Sequence, residues 1–420
     1  MPRKNITLPI LIITFLITLT TIQNQQNLAL NNTATAVPEN IIPCLNTSLN
    51  LIINITTLPG TDQEKIQTAL NMVPPEGATV YIPDGTWEAY NLTAKSKTII
   101  MGGEKTTLKR PANTTCPFIT FTNASDFAII NITFDGQNIP NATGIYITNS
   151  TNFLIYNNTF KDISRNALKI SGKSKNFTIK SNKFINTNNA PLTIFGSPGT
   201  REITNFTITA NTIINSTENG KIAIAFASDG IISRNIVLNS EYGIGTRGIS
   251  NIIIENNTII NCKGYGIYLG TQPADPGSWN ITIKNNYITN NNIGLARYYG
   301  SEPIKEAQVI SNIIVNNTQY DVQIDFPATF IKNTFTSKEK IKILTPPIEF
   351  AENTNIEGKP IIPADINNDQ KVDAKDIGIT ATLFGTNYES QKWNPACDVI
   401  ENGVIDSKDL GFICRCFGKK

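Results

Sequence analysis

The densest set of chemically useful side chains lies near the C-terminus. Asp365, Asn367, Asp369, Asp373 and Asp376 stand at positions 1, 3, 5, 9 and 12 of a loop whose seventh residue, Lys371, offers its backbone carbonyl. Oxygen donors at that spacing are what a hard Ca2+ ion needs. Gln370 stands at the sixth position, where glycine is usual, and the last donor is Asp rather than Glu. A second copy keeps Asp398, Asn402, the carbonyl of Val404, Asp406 and Asp409. Its third position is Ile400, which cannot ligate, so this site is expected to be the weaker. Both copies run into apolar segments ending in Phe384-Gly385 and Phe417-Gly418. The expectation is two Ca2+ loops; for each, the alternative is an acidic surface loop.

The 420-residue chain has no histidine. That excludes Ser-His-Asp and Cys-His nucleophiles, a histidine base and His-ligated zinc or iron. Acid–base chemistry must come from carboxylates, Lys, Arg, Tyr or Cys. Net charge is +2, from 35 basic and 33 acidic residues, which argues against nucleic acid as a partner.

One column of recurrent apolar residues runs through Ile145, Leu168, Leu192, Ile222, Ile244, Ile267, Ile293 and Val322. Its outward neighbours are then Tyr146, Lys169, Thr193, Ala223, Gly245, Tyr268, Gly294 and Gln323. The next outward column is Thr148, Ser171, Phe195, Ala225, Arg247, Gly270, Ala296 and Asp325. Aromatics stack on sugar rings and Lys or Arg pairs with uronic carboxylates. Lys169 and Arg247 are therefore the candidate catalytic bases, for abstraction of a proton α to a carboxylate neutralised by Ca2+ or Arg. Tyr146, Phe195, Tyr268 and Asp325 are candidate substrate-binding residues. The alternative is that all are solvated residues on an exposed sheet. Asp162, Arg165 and Arg297-Tyr298-Tyr299 are further candidates, and Asp229 reads as a turn residue.

These columns exist only if the middle of the chain is a coil of short strands. From Phe127 to Phe335 one phrase recurs, with its apolar residue at Phe134, Phe160, Phe184, Ile213, Val237, Ile259, Ile288, Ile314 and Phe335, spaced 21–29 residues apart. A variable period suits stacked turns with unequal loops. Within each run apolar and polar residues alternate, Ile and Thr are β-branched, and Asn and Gly supply the turns. No Asn-Gly hairpin links neighbouring runs. The expected fold is mainly β: a right-handed parallel β-helix of nine or more rungs, an N-terminal capping helix near Thr61–Leu70, and a small α-helical Ca2+-binding domain. Stacked Asn ladders account for the asparagine excess.

The rungs resemble those of the pectate-lyase superfamily and of NosD-like carbohydrate-binding proteins. Gly77-Ala78-Thr79-Val80-Tyr81-Ile82-Pro83-Asp84-Gly85-Thr86-Trp87 and Ile99-Ile100-Met101-Gly102-Gly103, behind a short helix, are similar to the parts that start those coils. The superfamily's histidine-dependent hydrolase site is absent. The duplicated loop-plus-helix resembles a type I dockerin, which implies Ca2+ and a cohesin-type protein partner; lone dockerin-like modules also occur without one. The expected organisation is a signal peptide and spacer over 1–36, a β-helix over 37–357 with a cap over 58–110 and repeats over 127–335, a linker over 358–363, and the dockerin-like domain over 364–420.

Arg3 and Lys4 precede an apolar run, Ile6–Ile22, and Ala34-Thr35-Ala36 fits a cleavage site. The reading is a secreted or cell-surface protein; the membrane is a partner only if this segment is an uncleaved anchor. Six cysteines fit an oxidising compartment; a local bridge such as Cys397 to Cys414 or Cys416 is a candidate, and the sequence does not fix the connectivity. About 17 positions read Asn-x-Ser/Thr, among them Asn131, Asn157, Asn205, Asn256 and Asn280, and are glycan acceptors if the chain is secreted. Two functions remain open: a lyase or epimerase acting on an acidic polysaccharide, and a non-catalytic carbohydrate-binding or adhesin-like surface component.

Overall fold

A computed structural model describes residues 51–418 except 272–274, 299, 301, 346, 363, 368 and 401. The signal-like run, Ala34–Ala36, Cys44 and Tyr299 lie outside the described residues. Each turn of the chain contributes one strand to each of three parallel sheets. Sheet 1 has 11 strands, from Leu92–Ala94 to Ile341–Ile343; sheet 2 has 13, from Ile52–Asn54 to Glu349–Ala351; sheet 3 has 12, from Gly85–Glu88 to Thr354–Asn355. Roughly twelve stacked turns about 4.8 Å apart make a coil on the order of 55 Å long.

The coil is longer than the recurrent phrase suggests. Strands Ala78–Ile82, Gly85–Glu88 and Leu92–Ala94 already pair with the next turn, so most of the stretch expected as cap is coil. The cap itself is helix α1, Asp62–Met72, opened by a capping box between Thr61 and Glu64. It buries Ile66, Ala69 and Leu70 in the main core. Asp62, Gln63 and Gln67 accept hydrogen bonds from the backbone amides of Glu88, Tyr90 and Thr93. Those amides begin the stack and have no earlier turn to donate to.

Inside, like packs on like. Phe127, Phe153, Phe177 and Phe206 stack at ring-centroid spacings of 4.9, 4.7 and 5.6 Å. Phe134, Phe160 and Phe184 do the same under sheet 3. The first stack ends where Gly230 faces Phe206; a Cβ there would lie 2.2 Å from the ring.

The tight corner between sheets 2 and 3 holds a buried ladder: Asn158, Asn182, Asn211, Asn235, Asn257, Asn286, Asn312, Asn333 and Asn353. Asn235 shows the unit. Its Nδ2 donates to Ile208 O and Asn257 Oδ1, and its Oδ1 accepts from the backbone amide and Nδ2 of Asn211. Both donors and both lone pairs are used, which is why a polar amide is tolerated in the core.

After the last sheet-3 strand the chain reverses. Thr354 bridges Pro360 in antiparallel sense, and Ile361 N donates to Asn353 O at 2.8 Å. Ile361 is buried in the coil's core, whereas Ile362 packs on the core of the C-terminal module. The expected linker thus touches both cores, and Lys338 Nζ donates to Asp365 O at 2.9 Å.

The module contains α2, Ala374–Thr382, and α3, Ser407–Cys416. Cys397 and Cys416 are buried in its small core and Cys414 is exposed. Cys397 is a thiol in this structure, so the candidate bridge from it is not present. Cys414 and Cys416, two apart on a helix, cannot face Cys397 together.

Candidate functional site

The outer face of sheet 1 holds the two columns of expected site residues. Strand pairing confirms the two outward columns as far as Tyr268 and Gly270, then shifts them. Ile267 pairs with Leu295, not Ile293, and Tyr268 with Ala296. The residue beside Gly270 is therefore Tyr298 rather than Ala296, and Ile293 pairs with Tyr265 and Tyr320.

The shift creates a cluster that the sequence columns missed. Tyr242, Tyr265, Tyr268 and Tyr298 meet at centroid distances of 4.9–6.3 Å, with Ile293, Ala296 and Tyr320 around them. The Tyr268 ring lies across Gly245, where a Cβ would sit 2.3 Å from Cζ. Lys221 is buried at the cluster's edge, its Nζ 5.2 Å from the Tyr242 centroid and 5.9 Å from that of Tyr268. The ammonium donates to the carbonyl and side-chain oxygens of Asn219. Burial pulls its pKa down to about 8, against a smaller opposing pull from Glu241. Burial also raises the Tyr268 phenol well above its ordinary range, helped by the neighbouring tyrosines.

The expected site residues are dispersed. Lys169 Nζ sits 5.3 Å from the Tyr146 ring centroid, and Ser171 Oγ donates to Tyr146 Oη. Phe195 makes an edge contact with Phe226. Arg247 is held bidentate by Asp275 at 2.7 and 2.8 Å, over the Phe226 ring. Lys169 and Arg247 are three turns apart, roughly 14 Å. They cannot serve one sugar together. Asp325 lies 3.7 Å from Arg297 Nε, and Arg297 also binds Thr271 Oγ1 and the carbonyls of Gly300 and Glu302. Arg247 and Arg297 therefore fasten the long connections between sheets 1 and 2.

In the C-terminal module, Asp365 accepts from the amides of Asp369 and Gln370, and Asp376 from those of Ile366, Asn367 and Asp373. Gln370 has φ 67°, the left-handed conformation that glycine usually supplies there. The second loop repeats the bonds: Asp398 accepts from Asn402 and Gly403, Asp409 from Ile400 and Asp406. These bonds wrap each loop around its own carboxylates, and the all-oxygen donor set fits a hard cation. Among the described residues no three carboxylates or thiols already converge on one metal position; Asn367 Nδ2 donates to Asp369 instead.

No curated protein matches the sequence. In structure the chain is similar to the A-module of the mannuronan C-5 epimerase AlgE6 of Azotobacter vinelandii, at 15% identity and TM-score 0.52 over 74% of this chain and 100% of that one. It is also similar to PfbA, a surface adhesin of Streptococcus pneumoniae, at 16% identity and TM-score 0.55 over 72% and 90%. A third likeness is to the catalytic domain of a GH87 α-1,3-glucanase, at 15% identity and TM-score 0.50 over 78% and 68%. At these identities the likeness establishes the fold. The sequence itself matches the right-handed β-helix region over residues 112–224 and 201–336, and the chain belongs to that family.

Proposed function

We propose that this is a secreted or cell-surface protein that binds polysaccharide along the outer face of sheet 1. The observation that carries the reading is the tyrosine cluster around Lys221. Partly buried phenol rings on a rigid sheet give sugar rings a surface to stack on, and an ammonium beside them favours an acidic sugar. The similar structures include an epimerase of mannuronan, a glucanase and an adhesin, which supports a glycan ligand without choosing between binding and processing.

For processing, Lys221 is the better base than Lys169 or Arg247. With a pKa of about 8, a useful fraction is unprotonated near neutral pH. It would take the proton α to a uronate carboxylate onto Nζ; departure of the β-glycosidic oxygen, protonated by water, with formation of the C=C bond then makes a lyase, and delivery of a proton from water to the opposite face of the same carbon an epimerase. The module over 364–420 is proposed to bind Ca2+ through Asp365, Asn367, Asp369, Lys371, Asp373 and Asp376, more weakly through the second loop, and to dock a cohesin-type protein.

The test is a glycan array together with ultraviolet detection of unsaturated product on polyuronates with Ca2+. Tyr268→Ala should weaken binding roughly tenfold, and Lys221→Met should abolish product. Binding without unsaturated product would remove the lyase reading and leave the epimerase, checked by proton NMR of the polyuronate, and the non-catalytic adhesin-like role; an array without any polysaccharide hit would sink the proposal.

A further inference from the structure

We propose that a second saccharide site, selective for acidic sugars, lies on sheet 2 at Trp279. It rests on that groove alone and not on the reading of sheet 1. Trp279 opens the strand Trp279–Lys284 and is 37% exposed. The Arg201 guanidinium stacks 3.8 Å from the indole centroid. It is fixed there by hydrogen bonds to the carbonyls of Pro276 and Gly277. Lys305 Nζ lies 5.8 Å from the same ring, and Trp279, Lys305, Glu306 and Gln308 line an open groove of about 470 Å³, within the range of small-molecule sites.

Charge identifies the occupant. No carboxylate among the described residues pairs with Arg201 or Lys305, although most other ion pairs on the coil are neighbouring turns matched in sign, as in Lys173–Glu202 and Lys284–Glu255. Burial lowers the Arg201 pKa, and its partners, two carbonyls and an indole, carry no formal charge. Lys305 and Glu306 are the charged residues that line the groove, and Arg201 stacks on its indole. An indole for the sugar ring, Lys305 for its carboxylate, and Glu306 and the Gln308 amide for its hydroxyls together suit a uronate unit. A neutral sugar would leave Lys305 without a carboxylate partner from its ligand.

The chain has three tryptophans, so changing Trp87 and Trp393 to Phe leaves Trp279 as the reporter. Its fluorescence should change saturably with hexagalacturonate or hexamannuronate and not with maltohexaose. The response should survive Tyr268→Ala, which removes the sheet-1 platform, and weaken about tenfold in Lys305→Ala, the size of one charge-assisted hydrogen bond. Circular dichroism checks that each variant folds. Absence of a saturable response to both acidic hexamers, an equal response to maltohexaose, or indifference to Lys305→Ala would each overturn the proposal.

Discussion

Lys221 and the ladder asparagines are both polar groups held in a core, with opposite consequences. Lys221 is buried with two oxygens of Asn219 as its polar partners, and its pKa falls from 10.5 to about 8. Between those values the unfolded chain binds more protons than the folded one, so stability rises with pH. Below about pH 8 the cost of burying the charge is fully present. Denaturant midpoints should therefore climb from pH 8 to about 9.5, and Lys221→Met should flatten that climb. Asn235 has every hydrogen-bonding position filled. Asn235→Ala strands Asn211, Asn257 and the Ile208 carbonyl and should cost about 3 kcal/mol or more, measured by equilibrium unfolding. The surface asparagines follow a further rule. Asn131, Asn157, Asn205, Asn256 and Asn280 all have φ between 52° and 58°. Each is followed by a buried residue and then by an outward Thr in a strand. Left-handed turn, inward residue, strand threonine spells Asn-x-Thr, so the abundance of that tripeptide follows from the coil whether or not a glycan is attached.

At the scale of elements, the strands were legible in the sequence because alternation of Ile, Phe and Thr fixes which face is buried. The register failed at one place for a physical reason. Strands Tyr265–Gly270 and Ile293–Tyr298 have six residues where the sheet-1 strand before them, Ile244–Arg247, has four. A slip of one residue turns the wrong face inward, but a slip of two leaves Ile293 and Leu295 equally acceptable as inward residues. The tyrosine cluster sits at that slip. Lys221 was illegible because nothing in Gly220-Lys221-Ile222 announces burial by tyrosines from later turns. The C-terminal loops are read as Ca2+ sites from donor spacing alone. Their test is calcium: with the ion at about 100 times its Kd, unfolding of the module should be delayed by about 2.7 kcal/mol. Asp365→Ala and Asp376→Ala should abolish the gain, and indifference of the parent chain to Ca2+ would refute the assignment.

For the molecule as a whole, stability is a sum over turns and their neighbours. Thr159 pairs with Lys183 and Asn158 donates to Asn182, so deletion of residues 159–182 removes one complete turn and leaves both corners compatible. The shortened chain should fold, with a denaturant m-value lower in proportion to the surface lost; failure to fold would show that the turns are not interchangeable. Such a stack has no intrinsic length, and each open sheet edge invites another strand. At one end the side chains of α1 occupy the first backbone amides. At the other, the reversal at Thr354–Pro360 lays an antiparallel segment where the next parallel strand would go, with a proline that offers no N–H. These two closures oppose the end-to-end growth of the stack into a filament. A chain cut after Asn355 should join end to end as its concentration rises, which light scattering would register.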